Sequence, residues 1–121
     1  MISNQPRNKL HSQLDHGSVS KSDRPKGVEP VTMHPRDAAA RGLEAGQIVR
    51  LHNSRGAYRA RLTISETIRF GVIQIATGAW YQPDGDTYQH GNPNVLTLDK
   101  GTSQLAQGPI AHSCLVEVRP E

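Results

Sequence analysis

The chain has 121 residues, a length that suits one domain with a modest core. It is 35% hydrophobic and 4% aromatic, with a formal net charge of +3 and a pI near 9.4, so its core must come from Val, Ile, Leu and Ala, and its charge suits an anionic partner without requiring one. The single cysteine, Cys114, excludes an intramolecular disulfide, an iron–sulfur cluster and a four-cysteine zinc site within the chain, and no apolar run has the length of a membrane span.

Eleven Gly and eight Pro favour many short elements over a few long helices. The stretch from Met1 to Glu29 is polar, shows little periodicity and lacks the apolar centre of a secretory signal. Leu10 and Leu14 bracket the polar His11-Ser12-Gln13, which lets this segment dock on another surface. Regular structure is predicted to begin at Glu29, with a short strand over Pro30 to His34. A helix over Pro35 to Gly42 follows: Pro35 suits the first turn, three consecutive Ala favour helix, and Gly42 stops it. His34 stands where it can cap that helix.

Gln47 to Asn53 has strand composition, and Ser54-Arg55-Gly56 makes a turn. In Tyr58 to Ile64 the apolar Tyr58, Ala60, Leu62 and Ile64 alternate with Arg59, Arg61 and Thr63, which predicts a hairpin with one buried face. The arginine face, with Arg50 nearby, is solvated or meets further domains. Few aromatics interleave with it, so it offers no stacking platform for nucleic acid. Val72 to Thr77 is another strand, Trp80 to Asn94 a long irregular loop, and Ser113 to Val118 a last strand in which Cys114 is a buried structural thiol. These elements predict a mainly β domain, and closure into a barrel would remove its edges.

Three stretches read together carry a resemblance. They are Leu10-His11-Ser12-Gln13-Leu14; Val31 to Gly42 with Gly46 to Leu51 and Asn53-Ser54-Arg55-Gly56; and His90 to Thr97 continued by Gly101 to Gly108. They resemble the C-terminal domain of the dimethyl sulfoxide reductase family of molybdenum enzymes, over about Gln5 to Val118. Thr77-Gly78-Ala79-Trp80-Tyr81 and the third stretch are most similar to the biotin sulfoxide and trimethylamine N-oxide reductases.

The resemblance implies a six-stranded double-psi β-barrel at residues 30–121, with short helices and a polar N-terminal strap at residues 1–29. It implies a molybdenum or tungsten ion held by two molybdopterin guanine dinucleotides and shared with other domains of a longer parent. Gln5, His11, Ser12, Gln13, Asn94, Gln107 and His112 fall at positions implied to contact that cofactor. Gln5 stands where many relatives carry His, and relatives differ at His112. The cofactor's rings and diphosphate call for amides, hydroxyls and imidazoles, and the irregular segments supply them. The implied activity is reduction of an S-oxide or N-oxide by the whole enzyme, with no metal ligand and no turnover in this chain alone. The expected partners are the parent's other domains, neither nucleic acid nor membrane, and the expected compartment is the cytoplasm, with the periplasm as the alternative.

Each candidate also has a plainer reading. Without a ligand, His11 is a surface residue of a polar tail, Asn94 caps the turn after Pro93, and Gln107 ends a solvated turn before Gly108. His16, His52 and His90 lack metal-ligand spacing. A stand-alone β-barrel interaction domain is the competing function. A self-processing decarboxylase cut at Gly17-Ser18 is a further one, disfavoured because the pair lies outside the predicted strands.

Overall fold

A computed structural model describes residues 1–24, 27–84, 88–90, 92–110 and 114–121 of the chain. Six strands make one sheet in the order β1 (Ile2–Asn4), β5 (Ile73–Ala76), β2 (Pro30–Met33), β4 (Ala57–Ile64), β3 (Ile48–His52), β8 (Glu117–Pro120). The short strands β6 (Gln82–Asp84) and β7 (Tyr88–His90) pair separately. Two helices are present, α1 (Ser18–Ser22) and α2 (Pro35–Ala39), with a 3-10 helix over Pro93–Leu96.

Alternation builds the centre of the sheet. In β4 Tyr58, Ala60 and Leu62 are buried, while Thr63 is exposed and the arginines lie between these extremes. Val31 of β2 sits between Leu62 on its parallel neighbour β4 and Ile75 on its antiparallel neighbour β5. Val49 and Leu51 of β3 continue the same buried face, which Leu96 and Cys114 cover from outside the sheet. This continuity of β-branched and aliphatic side chains replaces the missing aromatics, and Tyr58 is the largest fully buried residue.

The helix α2 ends three residues earlier than predicted. His34 is its N-cap, and its Nδ1 accepts from the Arg36 N–H at 3.1 Å. Gly42, at φ +63°, lets the Leu43 N–H return to the Ala38 carbonyl oxygen at 2.9 Å, a turn that tucks Leu43 into the core.

Three expectations need correction. The stretch before Glu29 is not without regular elements: β1 joins the sheet parallel to β5, and α1 follows. The region Trp80 to Asn94 is not wholly irregular, for it holds β6, β7 and the start of the 3-10 helix. The last strand lies at Glu117–Pro120, later than Ser113 to Val118, because Val118 is its only inward residue while Cys114 is buried ahead of it.

The sheet is also open where a closed barrel was expected. Its hydrogen-bonded ladders run from β1 to β8, and none joins these two edges among the described residues. A three-residue β1 offers little edge to pair. The two ends nevertheless approach, since the Met1 nitrogen donates to the Cys114 carbonyl oxygen at 2.8 Å. No helix is long and apolar enough to cross a membrane among the described residues.

Candidate functional site

Residues 10–13 fold into one turn, with the Gln13 N–H donating to the Leu10 carbonyl oxygen at 2.9 Å. His11, Ser12 and Gln13 are exposed on it, and their side chains make no hydrogen bond among the described residues. His11 has φ +52° and Leu14 φ +65°, a left-handed conformation that costs energy outside glycine and is held only where surroundings impose it.

Those surroundings are the segment after β5. Gly78, at φ +89°, lies so close that a Cβ there would overlap the His11 carbonyl group. Trp80 donates through its indole Nε1 to the Ser12 carbonyl oxygen at 2.7 Å, and its ring meets His16 edge-on with centroids 4.5 Å apart. The turn is therefore fastened through its backbone, which leaves its side chains free to face a ligand.

Beneath the turn lies a buried quartet of charges. Lys9 Nζ is 2.9 Å from Asp15 Oδ1 and 2.7 Å from Glu29 Oε1. The Arg24 guanidinium lies 3.4 Å from each of the same two carboxylates and donates to the Asp15 carbonyl oxygen as well. All four side chains are at most 8% exposed. Buried charges are tolerated only when paired, and here each has two partners of opposite sign. Burial disfavours the ionised Asp15, but Lys9, the Trp80 N–H at 3.1 Å and Arg24 together outweigh it and hold this carboxyl below its ordinary range. Residues 9, 15, 24 and 29 have no local spacing that announces this pairing, and sequence reasoning missed it.

Gln5 is exposed and spends its side-chain N–H on the Lys9 carbonyl oxygen at 2.6 Å, which braces the entry to the turn. Asn94 is exposed on the 3-10 helix; its backbone N–H is taken by the Asn92 side chain at 3.0 Å, and its own amide is free among the described residues. Asn53 Nδ2 and Arg55 Nε fix that helix by donating to the Leu96 carbonyl oxygen at 2.8 and 2.9 Å. A Cβ on Gly56 would run into the Val95 carbonyl oxygen, so the hairpin tip and the 3-10 helix are in close contact. Gln107, at φ +28°, is exposed in a loop closed by the Gly101–Pro109 bridge. His112 lies outside the described residues.

The expected site residues thus occupy three loops: the His11 turn with its Gln5 brace, the 3-10 helix with Asn94, and the Gly101–Pro109 loop with Gln107. No hydrogen bond joins these loops to one another among the described residues. Neutral donors and acceptors on braced backbones fit the edges of a pterin. No group of three or more His, Cys, Asp or Glu suited to a metal ion occurs among the described residues.

A sheet that braces polar loops from behind is the build of a ligand-binding domain. The family model described as "Molydopterin dinucleotide binding domain" matches residues 1–115, and the chain belongs to that family. Biotin sulfoxide reductase of Cereibacter sphaeroides is 45% identical to it over 121 residues, covering 98% of this chain and 16% of that protein. Trimethylamine-N-oxide reductase of Salmonella typhi is 48% identical over 119 residues, covering 93% and 14%. The chain therefore spans about one sixth of these relatives' length. Acetylene hydratase from Pelobacter acetylenicus shares the fold, with a TM-score of 0.79 at 15% identity over the whole chain and 18% of its own.

Proposed function

We propose that this chain is the C-terminal part of a molybdenum oxidoreductase that reduces an S-oxide or N-oxide such as biotin sulfoxide. In this reading it holds part of a bis(molybdopterin guanine dinucleotide) cofactor, with molybdenum or tungsten as the metal, shared with the parent's other domains. The cofactor supplies the electron and oxygen-atom transfer, and the chain binds and orients it. His11, Ser12 and Gln13 donate and accept at the pterin and diphosphate, Asn94 pairs with a pterin edge, and Gln5, Gln107 and His112 complete the contacts. Residues 1–29 serve as a strap over the cofactor, and the sheet closes into a double-psi barrel across the gap that Met1 and Cys114 already bridge. The proposed compartment is the cytoplasm.

The observation that carries this reading is the His11 turn. Its backbone is locked by Gly78, Trp80 and the buried quartet, while its polar side chains stay unspent. Such preorganisation lowers the cost of binding. Metal and guanine-nucleotide content of the purified parent tests it. About two guanine nucleotides per metal ion are expected in the wild type, with loss of both in a variant carrying His11→Ala and Asn94→Ala. A well-folded parent without metal or nucleotide would refute the reading and leave a protein-interaction domain in its place.

A further inference from the structure

The sheet ends in β1 on one side and β8 on the other. Three antiparallel and two parallel pairings lead from one to the other, so these two strands run in opposite directions. At the end of β8 the Glu121 N–H donates to the Ile48 carbonyl oxygen at 3.4 Å. Backbone groups alternate sides along a strand. Glu117 and Arg119 therefore also face β3, while Val116 and Val118 turn their backbone groups to the outer edge. The N–H groups of these two valines have no hydrogen-bond partner among the described residues. Such an edge is a template for a further strand.

The same alternation holds on β1. The Thr77 N–H donates to the Asn4 carbonyl oxygen at 2.9 Å, so Asn4 and Ile2 face β5 and Met1 faces the other way. There the Met1 nitrogen meets the Cys114 carbonyl oxygen at 2.8 Å. With a residue ahead of Met1 that nitrogen is a backbone N–H, and the contact is the first rung of an antiparallel ladder. The second residue before Met1 then falls opposite Val116, and the fourth opposite Val118.

The side chains agree with this register. Ser3 is buried and Met1 packs against the core, while Ile2 between them is exposed. Between the two edges lies a hollow of about 80 Å³, lined in part by Met1, Met33, Ile73, Val116 and Val118. Alternation points the second residue before Met1 into it, and an aliphatic side chain there would fill a gap that is costly when empty. Leu115, opposite the first residue before Met1, is 86% exposed.

We propose that the edge formed by Cys114, Val116 and Val118 docks the stretch of the parent enzyme that leads into Met1. That stretch lies antiparallel to β8, with an apolar residue two positions before Met1. The inference rests on the reading of this chain as the C-terminal part of a longer enzyme, and the chain spans about one sixth of the relatives it matches.

Cysteine pairing in the full-length parent tests it. In this ladder Leu115 and the first residue before Met1 form a non-hydrogen-bonded pair with Cα atoms about 4.5 Å apart, within disulfide range. Leu115→Cys, combined with a cysteine at that upstream position, should close a disulfide on mild oxidation, read by mass spectrometry of unreduced peptides. Leu115 is exposed, so its replacement leaves the core intact. Moving the upstream cysteine to the third position before Met1 sets it about 7–8 Å away on the diagonal and should lower the yield about tenfold or more. The same upstream cysteine with Leu115 retained reports any link to the buried Cys114. In the unmodified parent the Val116 and Val118 amides should exchange about a hundredfold slower, or more, than in an unstructured peptide. Equal cross-linking from the two upstream positions, or free exchange at both valines, overturns the proposal. Slow exchange without the cross-link overturns it too, because a different segment then occupies the edge. Guanine-nucleotide content of the same preparation reports separately on the cofactor reading: a parent that holds nucleotide but fails these tests loses only the edge assignment.

Discussion

The Trp80 indole donates to the Ser12 carbonyl oxygen across 68 positions of sequence. This one bond ties the segment after β5 to the turn that carries His11 and Gln13, while half of the indole stays in solvent. Trp80→Phe keeps the ring's bulk and removes the donor. The expected cost is about 1 kcal/mol of stability, with a lower guanine-nucleotide content in the purified parent. Thermal melts and nucleotide analysis of the same preparation check both.

Gly78→Ala acts on the same junction by another route. The new Cβ meets the His11 carbonyl group, and φ +89° is unfavourable for alanine. A loss of about 1–3 kcal/mol is expected. A second substitution, Ala79→Gly, should not rescue it, because the clash belongs to position 78. Denaturant unfolding measures the difference.

Asp15 gives the domain an acid-sensitive joint. Its folded carboxyl titrates below the ordinary value of about 3.9. The stability it contributes is complete above that ordinary value and disappears as the pH falls through the lower, folded one. Asp15→Asn should cost about 3 kcal/mol or more at neutral pH, since Lys9 and Arg24 then share Glu29 alone. The variant should also lose less further stability below about pH 4 than the wild type does. Urea midpoints measured from pH 7 downward decide this.

Tyr58 is fully buried, and its hydroxyl has no hydrogen-bond partner among the described residues. Burial raises its pKa well above the usual value; Glu29 and Asp15 add to the rise, and Arg24 opposes it. A raised folded pKa means that stability is full below the unfolded value of about 10 and is lost as the pH climbs past it. Tyr58→Phe removes both the unsatisfied hydroxyl and this alkaline loss. It should be neutral or stabilising by about 1 kcal/mol at pH 7, with a flatter stability profile above about pH 10. Chemical denaturation at the two pH values measures it.

What was legible in the sequence followed local pattern. The alternation of Tyr58 to Ile64, the strand composition of Gln47 to Asn53 and the His34-Pro35 helix start all stand where that pattern put them, the second as Ile48–His52. Elements held by distant partners were not legible. Ile2–Asn4 is too short to show a period and becomes a strand only because β5 offers an edge. The quartet Lys9, Asp15, Arg24 and Glu29 was not singled out within its polar stretch, because pairing through the interior leaves no trace in neighbouring residues. Residues His11, Ser12 and Gln13 were singled out through family resemblance, and the residues that brace their turn, Gly78 and Trp80, lie far along the chain. The arginine face was visible as Arg59 and Arg61, but Arg119 joined it only through the register of β8 on β3.

The quartet also bears on how the molecule acquires its shape. Its four charges lose water together, and any three of them buried without the fourth would leave a net charge in the interior. The turn at residues 10–13 should therefore settle in a single late event, after the central strands have already collapsed around Val31 and Leu62. In hydrogen exchange the amides of Gln13 and Trp80, one on each side of the junction, should open with one shared rate.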